Sequence, residues 1–244
     1  MSKIPKHLHN MMTKQDRDAR KNRPPYPKTK KVDLKRALTS RDFWLGVYFF
    51  VMFQLSVLLL TISALQENGR VMLIASMVVA IGLSIHGLHV AKKRQRVKFN
   101  YKPVKIPRLI FSVLLIYAGV YAISLLFIIL GIDTPVQENQ QALNQLMNQY
   151  FLPMAFITSI VAPITEELTF REFLPHAFGP SYVSFFINSI IFTLLHSPSG
   201  LVGLAVYGFL SLAFLYLRLK NNNLMNAIYA HMGYNVLTVI LSLI

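Results

Sequence analysis

The chain has 244 residues, 54% of them hydrophobic and only 14% charged, with a mean hydropathy of +0.45 and yet a formal net charge of +15. A soluble domain of this length does not combine those values. Cysteine is absent, which excludes disulfides, thiolate ligands and a cysteine nucleophile.

Residues 1–42 come first and carry thirteen Lys/Arg against Asp16, Asp18, Asp33 and Asp42. This segment is too long and too basic ahead of its first apolar run to read as a cleaved signal peptide. It reads as a cytosolic tail, disordered or lying on the membrane surface, with Arg23-Pro24-Pro25-Tyr26-Pro27 as an extended stretch. It lacks the aromatic interleaving of a nucleic-acid module, so its expected partner is the lipid bilayer and not nucleic acid.

Apolar runs follow near Phe43–Leu65, Val71–Val90, Leu109–Ile132, Phe151–Phe170, Tyr182–Leu195, Leu201–Leu217 and Leu224–Ile244. A hydrocarbon core about 30 Å thick takes on the order of 20 helical residues to cross. The expected fold class is therefore all-α, a polytopic membrane bundle of about seven helices. Its parts are three N-terminal spans within 43–132, an outer loop over 133–150 and a core of helices over 151–244. Within the loop, the Gln/Asn-rich stretch Gln137–Gln149 has Leu143, Leu146 and Met147 at helical spacing, which predicts an amphipathic surface helix. Spans four to six are short and interrupted by Pro, Gly and polar groups, as expected of helices lining a cavity.

Charge orients the chain. The loop from Lys92 to Arg108 holds eight bases and no acid, whereas Asp133 and Glu138 stand in a loop with no base. The N-terminus and the 92–108 loop are thus expected on the cytosolic side, together with Arg218 and Lys220.

Three polar motifs interrupt the last four spans. In Glu166-Glu167-Leu168-Thr169-Phe170-Arg171, residues 167 and 171 lie on one helical face, so the arginine neutralises one carboxylate. Glu166, rotated about 100°, faces elsewhere. In the second, Phe192 lies one turn below His196, with Asn188 a turn further back; in the third, His231 and Asn235 share a face of the final helix. Ionisable groups inside a membrane segment cost about 2.5–3.5 kcal/mol each on insertion scales, so a set of them marks a functional site. His86 and His89, beside the basic loop, fit no motif and read as interfacial.

The order Glu-Glu-x-x-x-Arg, Phe-x-x-x-His, His-x-x-x-Asn resembles the CPBP family, which joins the type II CAAX prenyl endopeptidases with bacterial Abi and bacteriocin-immunity proteins. The resemblance covers about residues 150–244. The position after the arginine is often small in that family, whereas here it is Glu172. The resemblance implies an intramembrane protease with Glu166 as base, His196 as its partner on the attacking water, and His231 and Asn235 as the oxyanion site. Glu167, Arg171 and Phe192 would support them. A bacterial plasma membrane is the expected location, and a membrane-associated protein or peptide the expected substrate; oligomeric state is left open.

The same chemistry follows from the residue types, since a carboxylate and an imidazole converging on one water make it a nucleophile. A Zn²⁺ site is the alternative, with Glu166, His196 and His231 as ligands and Asn235 as a fourth. The His-Glu-x-x-His grouping is missing, and the reading favours no required cofactor. If Arg171 marks the cytosolic edge of its span, Glu166 lies about 7–8 Å inside, His231 about 10 Å and His196 about 21 Å, at 1.5 Å per residue. These depths agree only if span five tilts or if Glu172–Pro180 is a re-entrant segment. The expected cavity faces the cytosol, and Ala205, Gly208 and Ser211 are expected to let helices approach closely around it. A non-proteolytic regulatory or immunity protein on the same fold is the second reading. A proton-coupled transporter is disfavoured by the lack of an inverted repeat.

Overall fold

The computed structural model describes residues 34–66, 69–93, 106–196, 198–220 and 223–243. The basic tail over 1–33 and most of the basic loop, 94–105, lie outside the described residues. Those described form helices and no strand: α1 (Leu34–Thr39), α2 (Arg41–Leu65), α3 (Arg70–Lys93), α4 (Ile106–Ile129), α5 (Glu138–Gln149), α6 (Phe151–Ala177), α7 (Tyr182–Leu195), α8 (Gly200–Lys220) and α9 (Leu224–Leu241). Six are long and apolar enough to cross a membrane, and α7 is a shorter apolar helix, which matches the expected count of about seven. Large side chains such as Val78 and Phe111, 65% and 66% exposed, point outward from these helices. A bundle that is apolar on its outer surface as well as in its core is built for lipid. The protein is an integral, multi-pass membrane protein.

Helix α6 is the axis of the bundle and packs against α2, α3, α7 and α9. It runs on past Phe170 to Ala177, further than the apolar run suggests. Residues Glu172–Ala177 are helical, so the proposed re-entrant segment is replaced by continued helix, and Gly179 (φ +89°) with Pro180 makes a short turn into the Ser181 cap of α7. Nor is Arg171 at an interface: it is fully buried inside the bundle. Its charge is met by protein groups, which removes the need to reach water. Measured from Ala177, Glu166 lies about 16 Å along its helix, closer to the roughly 21 Å of His196 along α7. The later helix end thus removes most of the mismatch in depth between Glu166 and His196.

Two wide π-helical turns, Ile157–Val161 and Thr169–Phe173, interrupt α6. Each precedes a proline, in Ala162-Pro163 and Leu174-Pro175. The amide of Ala162 donates to the Ile157 carbonyl and that of Leu174 to the Thr169 carbonyl, five residues back. In this register the next donors would be residues 163 and 175, which have no N–H. The Thr158 carbonyl is thereby left without a partner from its own helix.

Helix α5 forms where the spacing of its apolar residues predicts it. Leu143, Leu146 and Met147 pack on the main core, and no residue of the helix is fully buried. It lies across one end of the bundle as a strap. At one side the Gln137 Oε1 accepts the Ser199 amide (2.7 Å), and at the other the Gln149 Nε2 donates to the Ala64 carbonyl (2.9 Å) while Tyr150 hydrogen-bonds Ser63. The Gln137 side chain passes so close to Gly203 that a Cβ there would sit 2.1 Å from its Oε1. Of the three small residues expected to allow close helix approach, Ser211 does so, donating to the Ser189 carbonyl of α7 at 3.0 Å. Gly208 has open space beside it, since its face of α8 has no neighbour within reach. His86 and His89 are exposed, with His86 against Tyr48 and Phe49.

The α2–α3 turn offers a direct check of the packing. A Cβ on Gly69 would fall 2.0 Å from the Ser63 carbonyl oxygen, and backbone cannot step aside. Gly69→Ala is expected to lower stability in detergent by about 1–3 kcal/mol, the usual range for overpacking. Gly82→Ala, with nothing within 4 Å, should leave it unchanged or slightly raised. Thermal unfolding of the two purified variants makes the comparison.

Candidate active site

The three motifs meet. At the centre is Glu167, fully buried, with its two oxygens engaged by different motifs. Its Oε1 lies 3.0 Å from His231 Nδ1, and its Oε2 lies 3.5 Å from Arg171 Nε. The pairing with Arg171 is the one that the four-residue spacing anticipated. The pairing with His231, from 64 residues away, had no signal in sequence.

Arg171 carries the connection onward. Its Nη2 donates to the Ser211 carbonyl (3.2 Å) and hydroxyl (3.0 Å), and its guanidinium carbon stands 4.1 Å from the centroid of Phe192. The Phe192 ring also packs against His196, with centroids 4.3 Å apart. Phe192 thus limits the His196 rotamers, as expected from the helical turn between them, and in addition offers its π face to the buried cation. Contacts run unbroken from His231 through Glu167, Arg171 and Phe192 to His196.

Each imidazole is held in a defined form. His196 closes the C-terminal end of α7, and its Nδ1 lies 2.8 Å from the Phe192 carbonyl. A carbonyl only accepts, so Nδ1 carries the hydrogen and Nε2 is left with a lone pair. In His231 the carboxylate of Glu167 fixes a hydrogen on Nδ1, and the ring stacks on Phe214 with centroids 4.3 Å apart at 17°. Its Nε2 points to Glu166 Oε2 at 3.8 Å. This is too long for a direct hydrogen bond and close enough for one water to touch both atoms. Glu166 is 15% exposed, unlike Glu167, so the two carboxylates divide as their helical phase suggests. Asn235 donates from Nδ2 to the Thr158 carbonyl at 2.8 Å. The amide therefore fills the acceptor that the π turn and Pro163 left open, and only its second N–H and its carbonyl oxygen remain for other partners.

Glu166, His196, His231 and Asn235 all line one cavity of about 490 Å³. Tyr207, whose ring is 4.9 Å from that of His196, lines it as well, as does Asn139 of the strap. Gln137, Leu143 and Met147 of the strap segment complete the lining, as do Gln54 and Thr238 near the same end of the bundle. The place of this cavity along the bundle bears on the cytosol-facing opening expected from the sequence. Most of its lining lies in the half of the bundle beneath 134–149, where the strap and the nearby ends of α8 and α9 surround it, and Phe50, Phe170, Phe214 and His231 close it below.

The alternative Zn²⁺ set is Glu166, His196 and His231. Among the described residues no group of three His, Asp or Glu side chains is arranged to hold a metal ion. The Nδ1 of each candidate histidine is held by a protein acceptor, which leaves Nε2 free, and Glu166 Oε2 stands 3.8 Å from His231 Nε2.

Two features escaped sequence reasoning. Arg218, grouped with the cytosolic bases by charge, is buried and bonds Glu172 Oε2 at 2.7 Å, tying α8 to α6. Glu172, the departure from the family pattern, is also close to His176 and is explained by this buried pair. The strap is the other: its amphipathic pattern announced a helix and gave no hint of where it would lie.

With this geometry in view, residues 148–237 match the family model for Type II CAAX prenyl endopeptidase Rce1-like proteins, a range that contains all three motifs. The chain is also 33% identical over 112 residues to a Bacillus subtilis (strain 168) protein named "Putative membrane peptidase YdiL". That match covers 43% of this chain and 43% of the relative's length. No solved structure matches. Residues 148–237, the range that holds all three motifs, are thus similar to the Type II CAAX prenyl endopeptidase Rce1-like family.

The buried network has a measurable energy. Arg171→Ala leaves Glu167 buried without its cation, and losing one partner of a buried pair costs about 3–5 kcal/mol. This variant should unfold well below wild type in detergent, and the Glu167→Gln/Arg171→Met double variant, which removes both charges, should recover part of the loss in the same thermal assay.

Proposed function

We propose that this CPBP-type core makes the protein an intramembrane endopeptidase, hydrolysing a peptide bond of a membrane-associated protein or peptide by a water activated at Glu166. The observation that carries the reading is the approach of Glu166 Oε2 and His231 Nε2 to 3.8 Å in a cavity also lined by His196 and Asn235. A cavity set inside a bundle of apolar exterior shields these groups from bulk water, which strengthens each electrostatic contact within it.

In the proposed reaction Glu166 takes a proton from water as the water oxygen attacks the scissile carbonyl carbon. His196 Nε2, kept as an acceptor by the Phe192 carbonyl, takes the water's second hydrogen bond and fixes its orientation. The carbonyl π electrons move to oxygen, and the resulting oxyanion is met by the free N–H of Asn235 and by His231 Nε2–H when that ring is protonated. Glu167 behind Nδ1 stabilises this imidazolium, as a carboxylate does behind a catalytic histidine. The tetrahedral centre then collapses, the C–N bond breaks, and the proton held by Glu166 passes to the leaving amine. No step is assigned to a metal, and Glu167, Arg171 and Phe192 act by positioning.

Glu166→Gln preserves shape and removes the base. Cleavage is expected to fall about 10²–10⁴-fold, the range for a general base, with abundance and thermal stability near wild type. Membrane proteomes of cells carrying the wild-type or Glu166→Gln protein should differ by an uncut species that accumulates in the variant. Identical proteomes, with both proteins equally abundant, contradict the reading.

A further inference from the structure

We infer that the cavity is entered from the extracytoplasmic side, beneath the strap of residues 134–150, so that the bond reaching Glu166 belongs to a polypeptide held at the outer leaflet. What is cut rests on the proposed function above; the side of entry rests on separate observations.

Charge gives the first. Thirteen bases in residues 1–42 and eight in 92–108 fix one end of the bundle to the cytosol, and no Lys or Arg occurs from Leu109 to Phe170. The strap lies within this base-free stretch, with Glu138 as its one charge and Asp133 just ahead of it. The cavity's distribution is the second. Most of its lining comes from the strap and from residues such as Gln54, His196, Val202 and Thr238, in the halves of their helices nearest the strap, while Phe50, Phe170, Phe214 and His231 form its floor. Toward the opposite end the bundle is filled: Arg171, Glu172, Phe173, Phe49 and Arg218 are all buried, and the Phe49 and Phe173 rings stack with centroids 5.5 Å apart at 7°. A peptide entering from the basic end would have to break the Glu172–Arg218 pair.

The strap itself is built to separate from the bundle. Its helix has no fully buried residue, and uncharged amides tie the strap down through Gln137 on Ser199 and Gln149 on Ala64. Segments with little buried apolar surface and exposed hydrogen bonds open at low free energy. The amides of Asn139 and Gln140 line the cavity and are the groups that an incoming peptide backbone would meet on displacing these ties.

The chain has no cysteine, so single-cysteine variants need no altered background. Asp133→Cys and Lys93→Cys mark the two ends of the bundle, and Asn235→Cys and Thr238→Cys each probe the cavity. A membrane-impermeant maleimide is applied to intact cells and, separately, to inverted membrane vesicles. The inference expects Asp133→Cys and both cavity variants to react in intact cells and Lys93→Cys only in inverted vesicles. Adding Gln137→Ala, which removes the tie to Ser199, should speed the cavity labelling several-fold without changing Asp133→Cys. Cavity labelling from inverted vesicles alone, or from neither side while Asp133→Cys reacts, overturns the outer entry. A rate indifferent to Gln137→Ala overturns the strap as its cover. Labelling requires no turnover, so these results are independent of whether Glu166→Gln abolishes cleavage.

Discussion

The buried Glu167 carboxylate is the constraint on which the rest of the structure depends. A carboxylate taken out of water needs charge and hydrogen bonds to meet it, and here the two come from different helices: Arg171 from its own and His231 from α9. Meeting that requirement fixes where α9 lies against α6. It also sets the tautomer of His231 and turns Nε2 toward Glu166. Arg171, itself fully buried, extends the same logic to α8 through Ser211 and to α7 through Phe192. One desolvated charge thus recruits the three helices that hold the remaining site residues.

Backbone irregularity in α6 serves the same site. Prolines at 163 and 175 remove amide donors, and the helix widens by one residue per turn ahead of each of them. The Thr158 carbonyl freed in this way is capped by Asn235, so a defect in one helix becomes the anchor for a functional side chain of another. The second wide turn spans Arg171 and Glu172, and both side chains face protein: Glu172 meets Arg218 while Arg171 meets Glu167. Adjacent residues satisfying separate buried partners is an arrangement that a membrane interior enforces, since lipid supplies neither hydrogen bonds nor counter-charge.

What the sequence made legible is what local periodicity encodes. Long apolar runs announced the spans, the four-residue spacing of Glu167 and Arg171 announced their pair, and Phe192 below His196 announced their stacking. The spacing of Leu143, Leu146 and Met147 announced α5. Contacts between distant segments were not legible in this way: the His231–Glu167 bond, the Phe192 face under Arg171 and the Glu172–Arg218 pair. Helix α6 was cut short at Phe170 because charge was taken as the sign of an interface, whereas Arg171 finds its counter-charge inside the bundle. The same error produced most of the apparent mismatch in depth. The charge rule orients the helices, but it does not say which half of a bundle is hollow. The prolines at 163 and 175 were a readable sign of irregular backbone within the motif helix and a pointer to the Thr158 acceptor.

The central claim is that Glu167 acts in catalysis by holding His231. A double-mutant cycle on cleavage of the species that accumulates uncut in Glu166→Gln cells tests this most directly, with rates normalised to folded protein. Glu167→Gln and His231→Ala are compared singly and together. If Glu167 works through His231, the double variant cleaves no more slowly than the worse of the two single variants. Two losses that multiply in the double variant would show that the residues act independently, and would contradict the account.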